Sequence, residues 1–315
     1  MQIRLKKKKA SAKEIAFYIS LVSYALLHWA VFWLYVNGQT IALTFQKFNG
    51  ETFSPAWFDN YVRLIPKVFF GGDVTMFNAF KNSFHSIGIN LIILPLAVIV
   101  SYAFYKKIPC QTFFRVIFYL PNMISMVVLT MCFRFMFYNS EFVFIGPIAA
   151  VFNKLGYNVD WLDVINKSRT IWPLIYTYCI WSGLGANVIL ICGNMQRIPE
   201  DLADYCKIDG VGFWRELFAI VVPLIMPTIT VFFMNILMSV FGFTYAPMFI
   251  VGDAAGGAQG QAFTLGWYIF NQVASGSTIN LIDAATIGIS WSLLMLPIVF
   301  LFKWFLDKIT PEVYF

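Results

Sequence analysis

Six stretches of the chain are apolar for about the length a helix needs to cross a bilayer, and polar or aromatic segments separate them. A helix requires about 20 mostly apolar residues to span roughly 30 Å of hydrocarbon. The windows lie at about 15–36, 84–105, 113–137, 170–193, 219–250 and 281–306. The fifth is long for one crossing, which predicts a tilt or a break near Gly242 and Pro247. The pattern therefore predicts an all-α integral membrane protein with six transmembrane helices.

The connections are asymmetric. Roughly 45 residues separate the first two windows, and roughly 30 separate the third from the fourth and the fifth from the sixth. On the opposite side only the fourth-to-fifth connection is long. The segments Phe53–Pro66 and Ile145–Asp163 mix aromatic and turn residues and suit short amphipathic helices on the membrane surface. Gly252–Gln261 is glycine-rich and suits a flexible loop. The chain divides into a basic terminus at 1–14, a first span with its outer segment at 15–83, a core at 84–306 containing the loop 197–222, and a tail at 307–315.

Composition fixes the solvent. With 59% hydrophobic and 12% charged residues among 315, the chain carries more apolar surface than one soluble core buries, so membrane lipid must solvate much of it. The net charge of +6 would suit nucleic acid, but its distribution excludes that partner. Arg4, Lys6, Lys7, Lys8, Lys9, Lys13, Lys106, Lys107, Arg115, Arg197, Lys207, Arg215, Lys303 and Lys308 fall on the side of the termini. Lys47, Arg63, Lys67, Lys81, Arg134, Lys154, Lys167 and Arg169 fall on the other. Cytoplasmic loops carry the Lys/Arg excess, so both termini are expected in the cytoplasm. The first apolar run is too long and bulky for a cleaved signal and lacks a small-residue cleavage site. Cys110, Cys132, Cys179, Cys192 and Cys206 have no metal-ligand spacing, and His28 and His85 have no surrounding ligand cluster, so no metal is expected. No phosphate-cradling G-x-x-x-x-G-K-[ST] loop occurs, so no nucleotide cofactor is expected in this chain.

The loop 197–222 is the most informative segment. Pro199 fits a helix's first turn, and Glu200, Asp201 and Asp204 follow where the helix dipole favours negative charge. That helix is expected to end near Ile208, because Asp209-Gly210 tolerates the positive φ that redirects a chain. A second amphipathic stretch, Phe213–Val222, leads through Pro223 into the membrane. Spacing alone leaves two readings open: an ordinary surface helix pair, or a docking element for a cytoplasmic partner.

The segment resembles the cytoplasmic loop of permease subunits in bacterial ABC importers, with its pattern E-A-A-x-x-D-G-A, five residues, then F-x-x-I-x-L-P. Asp204, Tyr205 and Cys206 stand at E-A-A, Asp209, Gly210 and Val211 at D-G-A, Leu217 at F, and Ile220, Val222 and Pro223 at I, L and P. Tyr205 and Cys206 are larger than the alanines they replace. WFDNYVRLI and FYLPNMIS extend the likeness to the carbohydrate branch, and the chain is similar to the first of two unlike permeases in maltose-type oligosaccharide importers. The resemblance implies a type I importer permease fold in a bacterial inner membrane. It implies a second homologous permease as heterodimer partner, two cytoplasmic ATPase subunits that bind ATP and Mg, and an extracytoplasmic sugar-binding protein. Asp204, Tyr205, Cys206, Lys207, Asp209, Gly210, Val211 and Phe213 would couple to an ATPase subunit. Asn122, Met126, Gly183, Asn187, Phe241 and Tyr245 would fall along the substrate pathway.

Chemistry points to the same regions. Sugar recognition needs hydroxyl-matching hydrogen-bond groups and aromatic faces, which Asn122 and Ser125, Trp181–Asn187 and Phe241–Tyr245 offer. Small residues at these places serve close helix packing equally well. An ATP-independent secondary transporter of a small polar solute is the alternative. Ion-coupled carriers bury acidic or histidine residues in mid-membrane, whereas here the acids fall in loops or at span ends, as at Asp283. A membrane-embedded enzyme is disfavoured because no nucleophile, base and orienting group occur together.

Overall fold

A computed structural model describes residues 12–137, 139–140, 144–156, 168–242, 250 and 261–309. It is mostly helical, 82%. The chain opens with α1 (Ala12–Trp29), which continues through a π-helical stretch, Ala30–Tyr35, into α2 (Val36–Thr44). The first span is therefore longer than predicted, Phe17–Thr44, and its apolar window is wholly unburied by the rest of the chain. An apolar helix with no protein cover must be solvated by lipid or by another subunit.

A hairpin, β1 (Gln46–Phe48) with β2 (Phe53–Pro55), leads to α3 (Asp59–Phe69) and α4 (Val74–Ser83). This outer segment is fastened by polar residues. Buried Asn60 donates to the carbonyls of Thr44 and Gln46, each at 2.8 Å, and Arg63 pairs with Asp283. Asp73 caps α4, accepting from the Thr75 and Met76 amides, which satisfies donors that a helix start leaves open. After a turn at Phe84, α5 (His85–Tyr105) crosses the core.

The third window is not one straight helix. It is α6 (Gln111–Met123) and α7 (Met126–Met136), bent by 103°. Ile124 is extended (φ −89°, ψ 142°), and no side chain caps α7. A short β3/β4 hairpin (Asn139–Ser140, Phe144–Ile145) and α8 (Pro147–Lys154) follow, then the long α9 (Ser168–Met195).

Beyond α9 the loop forms α10 (Glu200–Ile208) and α11 (Phe213–Glu216), a π-turn at Leu217–Val221, and α12 (Val222–Leu224). The chain bends by 77° into α13 (Met226–Gly242). A break in the fifth window falls at Ile225, between Pro223 and Pro227, and the expected break near Gly242 and Pro247 falls where the described residues stop. Pro227 lacks an N–H and its ring opposes the carbonyl four residues back, so the helix cannot run straight through. Gly242 ends α13 and Pro247 lies outside the described residues. Finally come α14 (Leu265–Ala274), capped by the Thr264 hydroxyl, and α15 (Thr278–Ile309).

Among the described residues four helices are long and apolar enough to cross a membrane, or six if each bent pair is one span. The main core joins α5, α9, the 213–224 stretch and α13 through Tyr102, Ile191, Met195, Leu217 and Val221. Close approach of α9 depends on two glycines. A Cβ at Gly185 would collide with the Phe118 carbonyl, and one at Gly183 would lie 3.1 Å from Ile93 Cδ1.

Candidate functional site

The loop after α9 is built by local rules. Helix α10 ends in Gly210 at φ +64°, with Val211 N–H donating to the Cys206 carbonyl (2.9 Å) and Gly210 N–H to that of Lys207 (3.2 Å). These two bonds satisfy the last carbonyls of the helix, and the positive φ explains why glycine stands there. Lys207 donates to Asp204 at 2.8 Å, and this bond and charge hold the Asp204 carboxyl below its ordinary range. Cys206 turns inward and is buried.

Four bulky residues of the loop turn outward. Tyr205, Ile208, Trp214 and Phe218 are all exposed, Ile208 by 80%, and the Trp214 and Phe218 rings stack at 6.1 Å. Phe213 is 42% exposed but also meets Tyr102 of α5 at 4.7 Å. Large apolar side chains exposed on a polar loop are the kind of surface that marks protein contacts.

The loop is also anchored to the membrane core. Glu216, 4% exposed, takes Lys106 Nζ at 2.5 and 2.6 Å on its two oxygens, and the same ammonium lies 5.6 Å from the Tyr102 ring. Lys106 is the C-cap of α5. A buried carboxylate needs such a partner, because leaving it unpaired is strongly destabilising. Buried Leu217 continues the contact into the core. Sequence reasoning missed this pair; its signal was a single acid, Glu216, directly ahead of the apolar run LFAIVV.

Within the helices, Asn90 of α5, Asn187 of α9, and Asn235 and Ser239 of α13 line a common cavity of about 310 Å³, walled by Ile93, Phe232 and other apolar side chains. Asn187 spends one amide donor on the Gly183 carbonyl at 2.7 Å. Asn90 donates to the Ser86 carbonyl at 2.8 Å and approaches Ser239 Oγ at 3.4 Å. The remaining amide donors and acceptors are neutral and can match hydroxyl groups without selecting charge. Asn90 and Asn235 were not anticipated, because a lone asparagine in an apolar helix carries no local mark.

Asn122, Ser125, Met126 and Gly183 are not among the residues lining this cavity. Asn122, Ser125 and Met126 sit at the α6/α7 bend and are exposed on the isolated chain. Gly183 packs against Ile93. Phe241 lies in the last turn of α13, and Tyr245 lies outside the described residues. Among the described residues no group of three or more His, Cys, Asp or Glu could hold a metal ion.

Residues 93–313 match a family described as "Binding-protein-dependent transport system inner membrane component". A probable ABC transporter permease protein of Mycoplasma genitalium is 28% identical over 237 residues, covering 70% of this chain and 68% of that one. An arabinooligosaccharides transport system permease protein of Halalkalibacterium halodurans is 26% identical over 224 residues, covering 67% of this chain and 64% of the relative. The fold is similar to a solved bacterial alginate ABC transporter in complex with alginate pentasaccharide-bound periplasmic protein. The TM-score is 0.73 at 19% identity, covering 96% of this chain and 97% of that one.

Proposed function

The chain belongs to the family of binding-protein-dependent transport system inner membrane components, and from that premise we propose that it is one of two permease subunits in an ATP-driven importer of an oligosaccharide. An external binding protein delivers the sugar, and the complex sits in a bacterial inner membrane. The partner permease is a homologue of this chain. Two cytoplasmic ATPase subunits hold ATP and Mg.

The observation that carries this reading is the loop 200–224, which couples an outward apolar patch to an inward ion pair. Tyr205, Ile208 and Trp214 offer a surface to an ATPase subunit, while Glu216 and Leu217 tie the same element to α5 and the core. A load applied at the loop is thereby passed to α5 through the Glu216–Lys106 pair. When ATP draws the two ATPase subunits together, the loops move with them, and the helices rock from one access state to the other. The cavity at Asn90, Asn187 and Asn235 supplies neutral hydrogen-bonding groups for sugar hydroxyls along that route. Similarity to an arabinooligosaccharides transport system permease protein supports the substrate class.

Reconstitution of the full complex in proteoliposomes tests the proposal. Uptake is expected to require ATP and the loaded binding protein, and to be lost on replacing Gly210 by valine while insertion persists. Uptake by this chain alone, driven by an ion gradient, would establish a secondary carrier instead.

A further inference from the structure

The outer segment carries a further apolar surface, and its height above the membrane decides what can cover it. The first span, Phe17–Thr44, is 28 residues long, about 42 Å at about 1.5 Å per residue and so about 12 Å more than the hydrocarbon is thick. Lys13 holds its cytoplasmic end near the surface, and Asn37, Gln39 and Thr40 are exposed in its last turns, so the excess emerges on the outer side. A second helix gives the same height. The 21 residues of α5 fill the hydrocarbon from His85 to Tyr105. Phe84, just before them, meets Trp291 of α15 at 5.9 Å. Asp283 lies two turns outward of Trp291 on α15, about 12 Å away along the helix, and Arg63 of α3 pairs with it. The headgroup layer adds only about 5–7 Å to each side of the hydrocarbon, so the hairpin and the start of α3 stand in water, beyond the lipid.

On that raised segment Trp57, Phe58 and Val62 are exposed, Trp57 by 72%. Phe58 and Val62 are one helical turn apart and share a face at the start of α3. Trp57 is held in the left-handed region at φ +45°, where the Ala56 and Trp57 N–H groups both donate to the Phe45 carbonyl, at 2.8 and 3.1 Å. A bulky L-residue is strained there, whereas glycine or asparagine is not. The ring gains nothing within the fold to offset that strain, since it stacks on no other ring among the described residues. Tryptophan at this position is therefore explained by something outside the chain.

Alongside, Lys47, Asp59 and Arg63 line a cavity of about 240 Å³, so charge borders the apolar surface. An aromatic centre within a polar rim is the anatomy of an interface that forms and releases, whereas permanent subunit contacts are more uniformly apolar. Tryptophan is also enriched among the few residues that carry most of the binding energy at such interfaces. We propose, resting on the importer reading above, that Trp57, Phe58 and Val62 form this chain's contact surface for the soluble external binding protein, with Trp57 as its anchor. Arg63 ties α3 to Asp283, and the Phe69 ring at the other end of α3 stacks on Trp291, so a protein seated there bears directly on the last spanning helix.

The complete importer in nanodiscs is titrated with its external binding protein, loaded with its oligosaccharide, and binding is followed by biolayer interferometry. Trp57→Asn should weaken binding about tenfold or more, as expected for loss of an anchor residue. The same variant should unfold at the wild-type temperature or above it, because asparagine tolerates the left-handed backbone. Val62→Arg should weaken binding by a smaller factor, and Phe300→Ala, exposed on α15 at membrane depth, should leave it unchanged. Wild-type binding by either Trp57→Asn or Val62→Arg overturns the proposal. So does a lower unfolding temperature in Trp57→Asn, which would make the tryptophan part of the fold, or loss of the second permease from that complex, which would assign the surface to that subunit. If the wild-type importer does not bind the loaded protein at all, the importer reading itself fails and this surface falls with it.

Discussion

In the loop 200–224 nearly every functional feature arises from residues within a few positions of one another: the Gly210 turn, the Asp204–Lys207 bond, the outward Tyr205 and Ile208. The asparagine cavity is the opposite case. It exists only because α5, α9 and α13, distant in the chain, converge and bring one neutral amide each. Local chemistry makes an element recognisable and tolerant, since it forms wherever the chain places it. A site assembled across helices inherits every error of their packing.

The largest expected effect tests that dependence. Gly185→Ala introduces a methyl group where the Phe118 carbonyl already lies, so α9 must retreat from α6. Overpacking of this kind costs about 3 kcal/mol, at the upper end of the usual range. Thermal unfolding in detergent should show the loss, with the cavity disrupted and the loop intact by partner binding. Equal stability of variant and wild type would mean that the helices do not approach as described.

The next effect bears on the one place where the two regimes meet. Glu216→Ala leaves the Lys106 ammonium, 25% exposed, without its carboxylate. Breaking a fully buried pair costs 3–5 kcal/mol, and with partial solvation about 2 kcal/mol is expected. ATP hydrolysis by the assembled complex should continue while sugar uptake falls, because the loop stays docked but no longer pulls α5. A proportional fall in both would make the pair merely structural.

Within the cavity, Asn187→Leu should reduce uptake about tenfold, the equivalent of a single hydrogen bond near 1.4 kcal/mol, with little change in thermal stability. Asn235→Leu should act alike, and unchanged uptake in both would remove the cavity from the route. The smallest effect is at the loop surface. Asp204 has its folded pKa depressed by Lys207, so its contribution to stability is complete above the unfolded value and disappears as pH falls through the folded one. Asp204→Asn should therefore lower stability slightly at neutral pH and match the wild type in acid, and a difference that persists below the folded pKa would contradict the assignment.

The same division governs what could be read from the sequence. Windows of about 20 apolar residues announce themselves, and Pro199, Asp209 and Gly210 mark the loop's start and turn within ten or so residues. The bends were less legible. Pro121, Pro223 and Pro227 are visible, but hydropathy averages across them, so the bends at Ile124 and Ile225 leave no mark in the apolar windows. Hardest were pairings between distant elements. Lys106 reads as a topology signal and Glu216 as a loop acid until α5 and α11 are brought together, and Asn90 and Asn235 are indistinguishable from other polar residues in apolar helices until they share a cavity.

The central claim is that the exposed tip of the loop is the seat of an ATPase subunit. A single cysteine at Ile208, with a short thiol cross-linker applied to membranes containing the complete importer, tests it most directly. The expected result is one product joining this chain to the ATPase, suppressed when the ATPase is absent and changed in yield by ATP. Labelling of that cysteine from the outside of intact cells, or cross-links to no other polypeptide, would contradict it.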